Sequence, residues 1–282
     1  MPDEGNVSVA FEVCRNALAS CPSGLLTDID GTISLIAPTP KAASVSEEAR
    51  TALRRLADRL DVVGVVTGRA AADAEAMLCV PRVLHIGNHG LEQRHAGVTT
   101  VNAVAATVAK DMAGALGAIE STASKIGVKD GIIYENKVLT SSIHYRLAPD
   151  QDAVHEVLLQ LATSEAAERN LRVTEGRMVI ELRPPVPINK GTAVERVVAD
   201  VGLRGLVFLG DDVTDVDAFR TVKRLREEGG LCGATVAVVA PETNPEVMMS
   251  ADVAVHGVDS CIRLLLELAE SLEEFQDSKP EE

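Results

Sequence analysis

The chain has 282 residues, 46% hydrophobic and 24% charged, enough for one large or two smaller globular domains. Its 27 basic against 42 acidic residues give a net charge of −15, and aromatics are only 2% with no Trp. It therefore offers neither the basic clusters nor the stacking platforms that hold nucleic acid. The same charge disfavours anionic membrane surfaces, and no run of about 18 apolar residues is present to span a bilayer. Cys14, Cys21, Cys79, Cys232 and Cys261 are odd in number and never paired as C-x-x-C, which argues against a disulfide framework or a zinc site and for a reducing compartment. Asp3, Glu4, Glu12 and Arg15 interrupt any apolar leader, so the expected location is the cytoplasm.

In chain order, short apolar runs at 24–29, 62–66 and 83–86 are followed, after a different middle stretch, by runs at 206–209, 236–239 and 253–255. Their alternation with helical patterns predicts βαβ units and a parallel sheet. Residues 46–60 predict a helix: Ser46 precedes Glu47 and Glu48, and Ala49, Leu53 and Leu56 form an apolar stripe. The middle reads as a helix (101–126), two β-like runs (131–135, 138–147), a helix (150–167) and two further strands (171–174, 178–182) around a turn at 175–177. Strands in hairpins beside helices predict an inserted α+β module over 96–182, within a discontinuous core of 1–95 and 183–268. The acidic residues 269–282 predict a disordered tail.

The polar residues fall at strand ends. Asp28 and Asp30 close the first strand, Thr67 and Gly68 the second, and Asp211, Asp212 and Asp215 the one at 206–209. In open α/β sheets, ligands bind outside the carboxyl ends of the strands. Acids gathered there repel unless a hard divalent cation lies between them, and oxygen donors without thiols favour Mg²⁺ over zinc. Asp28 and Asp30 lie two apart in an extended segment, so one can attack while the other moves a proton. Lys190, in Asn189-Lys190-Gly191-Thr192, opens a helix and suits a phosphate, while Thr67 holds a phosphoryl oxygen. Taken singly, each segment has a plainer reading as a solvated turn, a strand-to-helix turn, a surface lysine or a helix cap. Their co-occurrence at equivalent strand ends carries the argument.

These four segments resemble the haloacid dehalogenase superfamily of aspartate-nucleophile phosphatases. The resemblance implies a Rossmann-like α/β core with an inserted α+β cap domain, Asp28 as nucleophile and Asp30 as general acid/base. It implies that Thr67, Gly68 and Lys190 bind the phosphoryl group. Mg²⁺ would be held by Asp28, the main-chain carbonyl of Asp30 and Asp211, with Asp212 or Asp215 in support. A narrower resemblance, to trehalose 6-phosphate phosphatases, rests on GDDVTDVDAF at 210–219, on GNHGLE at 87–92, on 134–137 leading to His144-Tyr145-Arg146, and on 179–184 leading to Lys190. It implies hydrolysis of trehalose 6-phosphate, a small-molecule sugar phosphate. A neutral array of hydroxyls is recognised by hydrogen-bonding groups, and Asn88, His89, Glu92, Lys137, Arg146, Glu181 and Arg183 are the candidates in those segments. Sucrose 6-phosphate and mannosyl- or glucosyl-3-phosphoglycerate are alternative substrates, and a catalytically silent sugar-phosphate sensor is the alternative outside enzymes. No protein partner is readable.

Overall fold

The computed structural model describes residues 4–277. The chain opens with α1 (Glu4–Leu18), β1 (Ser23–Thr27), α2 (Glu47–Ala57), β2 (Val62–Val66), α3 (Ala71–Leu78), β3 (Val83–Gly87), β4 (Glu92–His95) and β5 (Val98–Val101). Its middle carries α4 (Ala103–Thr107), α5 (Ala109–Lys125), β6 (Ile133–Asn136), β7 (Ser141–His144), α6 (Gln151–Glu168), β8 (Arg172–Gly176) and β9 (Val179–Arg183). It closes with α7 (Lys190–Val201), β10 (Gly205–Gly210), α8 (Val213–Glu227), β11 (Cys232–Val239), α9 (Pro245–Ser250), β12 (Val253–His256) and α10 (Gly257–Asp277). Two compact units result: Met1–Thr99 with Ile188–Glu282, and Thr100–Pro187.

In the first unit the strand order is β12-β11-β10-β1-β2-β3-β4-β5. The pairs from β12 through to β3 are parallel, and β3–β4 is antiparallel. Both faces of this sheet are covered, which is why its strands read as unbroken apolar runs rather than alternations. Leu25, Val63, Val65, Val207 and Leu209 pack with α1, α2 and α10, while Leu26, Leu84, Ile86 and Phe208 pack with α7 and α8. The chain order reverses at β1, which has β2 on one side and β10 on the other, so β1 is the switch point where a doubly wound sheet opens a crevice.

The second unit is an antiparallel sheet, β6-β7-β9-β8, with α5 and α6 packed on it through Met112, Ile119, Leu158, Ile143 and Ile180. The run expected at 138–147 shortens to Ser141–His144. Lys137 N donates to Thr140 O at 2.9 Å, and Val138 takes φ +68°, so the chain turns there before the strand begins.

One element adds to the sequence reading and one expectation is corrected. The first residues, read only for the lack of a leader, form α1, with Val7, Ala10, Cys14 and Ala17 buried at helical spacing. Residues 269–277 are not a disordered tail but the end of α10. Leu264, Leu265, Leu268 and Ala269 are buried, and Arg55 of α2 reaches Glu273 at 2.7 and 2.9 Å. The acidic composition hid an amphipathic stripe. The rest of that expectation, 278–282, lies outside the described residues. No helix among the described residues is long and apolar enough to cross a membrane.

Candidate active site

The strand ends converge as the doubly wound topology requires. Thr27 pairs with Leu209 on one side and Val65 on the other, so Asp28, Asp211 and Thr67 emerge from three adjacent strands. Asp28 N donates to Leu209 O at 2.9 Å, fixing the nucleophile candidate where β1 ends. The following turn closes on Ile29 O, which accepts from the amides of Thr32, Ile33 and Ser34. Gly31 is obligatory: its φ is +91°, and a Cβ there would lie 2.0 Å from Asp211 Oδ2. Gly210 is similarly bare because a Cβ would meet Asp215 Cγ at 2.3 Å.

Asp28, Asp211 and Asp215 each offer a carboxylate oxygen within 4.8 Å of the others. Lys190 Nζ, 1% exposed at the start of α7, reaches Asp215 Oδ1 at 2.6 Å and Asp28 Oδ2 at 3.0 Å. Asn189 caps that helix by accepting from Thr192 N at 2.9 Å, so the lysine is aimed by a rigid element. Asp215 is fully engaged: its Oδ2 accepts from the amides of Asp211 and Asp212 at 3.1 and 3.0 Å. Asp211 Oδ1 accepts from Thr32 Oγ1 at 2.9 Å. Asp28 Oδ1, by contrast, is buried with no hydrogen-bond partner.

Fully ionised, three carboxylates against one ammonium would leave two excess negative charges in a largely desolvated site. Burial drives the Asp28 carboxyl up to about 7, with Lys190 pulling it down and Asp215 and Asp30 pushing it further up. Burial, then Asp28 and Asp215, likewise raise Asp211 well above the carboxylate range. Burial also raises Asp215, against the opposing pull of Lys190. Burial lowers Lys190, but Asp215 and Asp28 outweigh it, so the lysine stays charged. An excess of carboxylates, hard oxygen donors and an orphaned buried oxygen fit a divalent cation.

The remaining candidates separate. Asp30 faces Arg69, whose Nε and Nη2 reach its two oxygens at 2.6 and 2.7 Å. The Asp212 side chain lies outside the three-carboxylate group. Asn88, His89 and Glu92 stand against the loop of Thr67 and Gly68: Asn88 N donates to Arg69 O at 2.7 Å and His89 N to Thr67 O at 2.9 Å. In the second unit Glu181 Oε1 accepts from Lys137 Nζ at 2.9 Å and Ser142 Oγ at 3.0 Å, with Arg183 Nε 3.6 Å from its other oxygen. Arg146 is apart from them, beyond the other end of β7, donating to Arg177 O at 3.1 Å. Thr32, on Asp211, and Arg69, on Asp30, are contacts the expected site residues did not include, although both lie inside the motifs at 28–32 and 67–69.

The trehalose-phosphatase family model matches residues 26–254. A trehalose-phosphate phosphatase of Mycobacterium avium (strain 104) is 37% identical over 231 residues, covering 79% of this chain and 56% of that protein. One of Mycobacterium tuberculosis (strain H37Rv) is 36% identical over 204 residues, covering 69% and 50%. The chain thus spans about half the length of these relatives. Among solved structures, the C-terminal domain of a C. albicans trehalose-6-phosphate phosphatase has TM-score 0.75 and 22% identity, covering 94% of this chain and 97% of that one. A trehalose-6-phosphate phosphatase related protein has TM-score 0.72, also at 22% identity, covering 91% and 100%. These structures share the fold of the haloacid dehalogenase superfamily, and the strand-end aspartates of this chain stand where that fold opens its crevice. With the family match running from β1 to β12, the chain belongs to the trehalose-phosphatase family.

Proposed function

We propose that this chain hydrolyses trehalose 6-phosphate to trehalose and phosphate, with Mg²⁺ as cofactor. The observation that carries the reading is Asp28, whose Oδ1 is buried and unpaired beside Lys190 in a site where carboxylates outnumber the ammonium three to one. Asp28 and Asp211 would hold the cation with the main-chain carbonyl of Asp30, while Asp215, occupied by Lys190 and two amides, supports them. When bound, the cation supplies positive charge that lets a carboxylate approach a phosphate dianion.

Asp28 attacks phosphorus, and the bond from phosphorus to the sugar oxygen breaks as Asp30 donates a proton to that oxygen. Water then attacks the phosphoryl group on Asp28, Asp30 takes the water proton, and the bond to Asp28 breaks. Asp30 is free for this once its pairing with Arg69 loosens. Thr67, Gly68 and Lys190 hold phosphoryl oxygens. Lys137, Glu181 and Arg183 in the inserted module, residues 96–182 in its sequence bounds, supply hydrogen bonds of the type sugar hydroxyls exchange.

The test is phosphate release from trehalose 6-phosphate, with Mg²⁺ and with excess EDTA, beside sucrose 6-phosphate and glucosyl- and mannosyl-3-phosphoglycerate. Metal-dependent release from trehalose 6-phosphate is expected. Release only from the others would discard the sugar, and none from any would discard the phosphatase.

A further inference from the structure

Helix α3 begins directly after the loop of Thr67, Gly68 and Arg69, and its N-cap position is Ala70, which has no side chain to satisfy the first amides. The cap comes from a distance. Glu92 Oε1 accepts from Ala71 N at 2.8 Å and from Asn88 Nδ2 at 2.6 Å. One carboxylate oxygen thereby ties the start of α3 to the turn that precedes β4, and its negative charge suits a helix N-terminus. That turn is tightly wound: Asn88, His89 and Gly90 take φ of +49°, +56° and +109° in succession. The winding lays the amides of Asn88 and His89 on the carbonyls of Arg69 and Thr67. The fit is close. A Cβ on Gly68 would sit 2.7 Å from His89 Nε2, and one on Gly87 would sit 2.3 Å from Ala71 N. Thr67 and Gly68 are therefore held from outside their own loop, and Glu92 fastens the holder.

We propose that Glu92 is a positioning residue for the phosphoryl group, acting through Asn88 and Ala71 on Thr67 and Gly68, and not a ligand of the sugar. This rests on the phosphatase reading and assigns a role in it that any phosphomonoester would feel. A sugar ligand would be felt by the sugar substrate alone.

Three variants and two substrates test it. Glu92→Ala is expected to lower kcat/KM by about tenfold or more for trehalose 6-phosphate and by the same factor for p-nitrophenyl phosphate. The inhibition constant of orthovanadate should rise in parallel, with the melting temperature within a few degrees of wild type. Glu92→Gln keeps an acceptor oxygen at the same reach and recovers most of the loss. Glu92→Asp keeps the charge, falls one methylene short, and does not recover it. Loss confined to trehalose 6-phosphate, or no loss at all, would overturn the proposal. Should Glu92→Ala fail to fold, Glu92→Gln against Glu92→Asp carries the same comparison. If the wild-type protein cleaves neither ester, the phosphatase reading fails by itself. Orthophosphate binding by calorimetry then decides: weaker binding by Glu92→Asp supports the clamp, and equal binding overturns it.

Discussion

The two polar clusters of this molecule are built on opposite principles. At the end of β1, Asp28, Asp211 and Asp215 outnumber Lys190, and one carboxylate oxygen is left without a partner. On the second sheet, Glu181 is matched by Lys137 from the turn after β6, Ser142 from β7 and Arg183 two residues on in its own strand. The first cluster holds an excess of negative charge, the kind of imbalance a divalent cation neutralises. In the second, Glu181 is already matched by oppositely charged and hydroxyl partners.

The largest expected effect breaks the first cluster at its centre. Asp28→Asn should lower turnover by more than about a thousandfold while the protein stays folded, as read by phosphate release beside thermal melting. The same variant reports that imbalance directly. A carboxyl whose folded pKa is raised stabilises the fold fully below its unfolded value near 3.8 and loses that contribution as pH climbs through about 7. With the cation chelated, Asp28→Asn should therefore melt above wild type at pH 8, and the gap should close as pH falls toward 4.

Lys190→Met works in the other direction. It leaves the buried carboxylates of Asp28 and Asp215 without their cation and should cost about 3–5 kcal/mol in denaturant unfolding. Mg²⁺ should raise the melting temperature of wild type in a concentration-dependent way and do so much less for Asp28→Asn. The second cluster should answer more mildly: Lys137→Ala or Glu181→Gln should lower kcat/KM about tenfold to a hundredfold for trehalose 6-phosphate, and far less for p-nitrophenyl phosphate. Smallest of all, Arg55→Ala should lower the melting temperature only slightly by removing the solvent-screened pairing with Glu273 at the end of α10.

The same contrast explains what the sequence disclosed. The core site was legible because strand-end positions are fixed by topology: once the runs at 24–29, 62–66 and 206–209 are parallel neighbours, Asp28, Thr67 and Asp211 must meet. Gly31 and Gly210 announce the crowding through the side chains they lack. What stayed hidden were contacts that depend on a residue's reach rather than its place. Arg69 on Asp30, Thr32 on Asp211 and Glu92 on Ala71 join groups 39, 179 and 21 positions apart. Arg146 shows the converse: sequence proximity to His144 did not bring it to Glu181, because a strand carries successive residues away from a point at about 3.3 Å each. Beyond Leu268 the acidic surface of α10 masks a stripe that continues one turn further, to Leu272 packed against the core.

The claim on which the rest depends is that Asp28 is the group that accepts the phosphoryl group. Rapid acid quench of the wild-type protein with Mg²⁺ and trehalose 6-phosphate, followed by peptide mass mapping, tests it directly. The account predicts a phosphoryl adduct on the peptide containing Asp28, absent from Asp28→Asn. Phosphate release at full rate with no adduct there, or an adduct on any other residue, would contradict it.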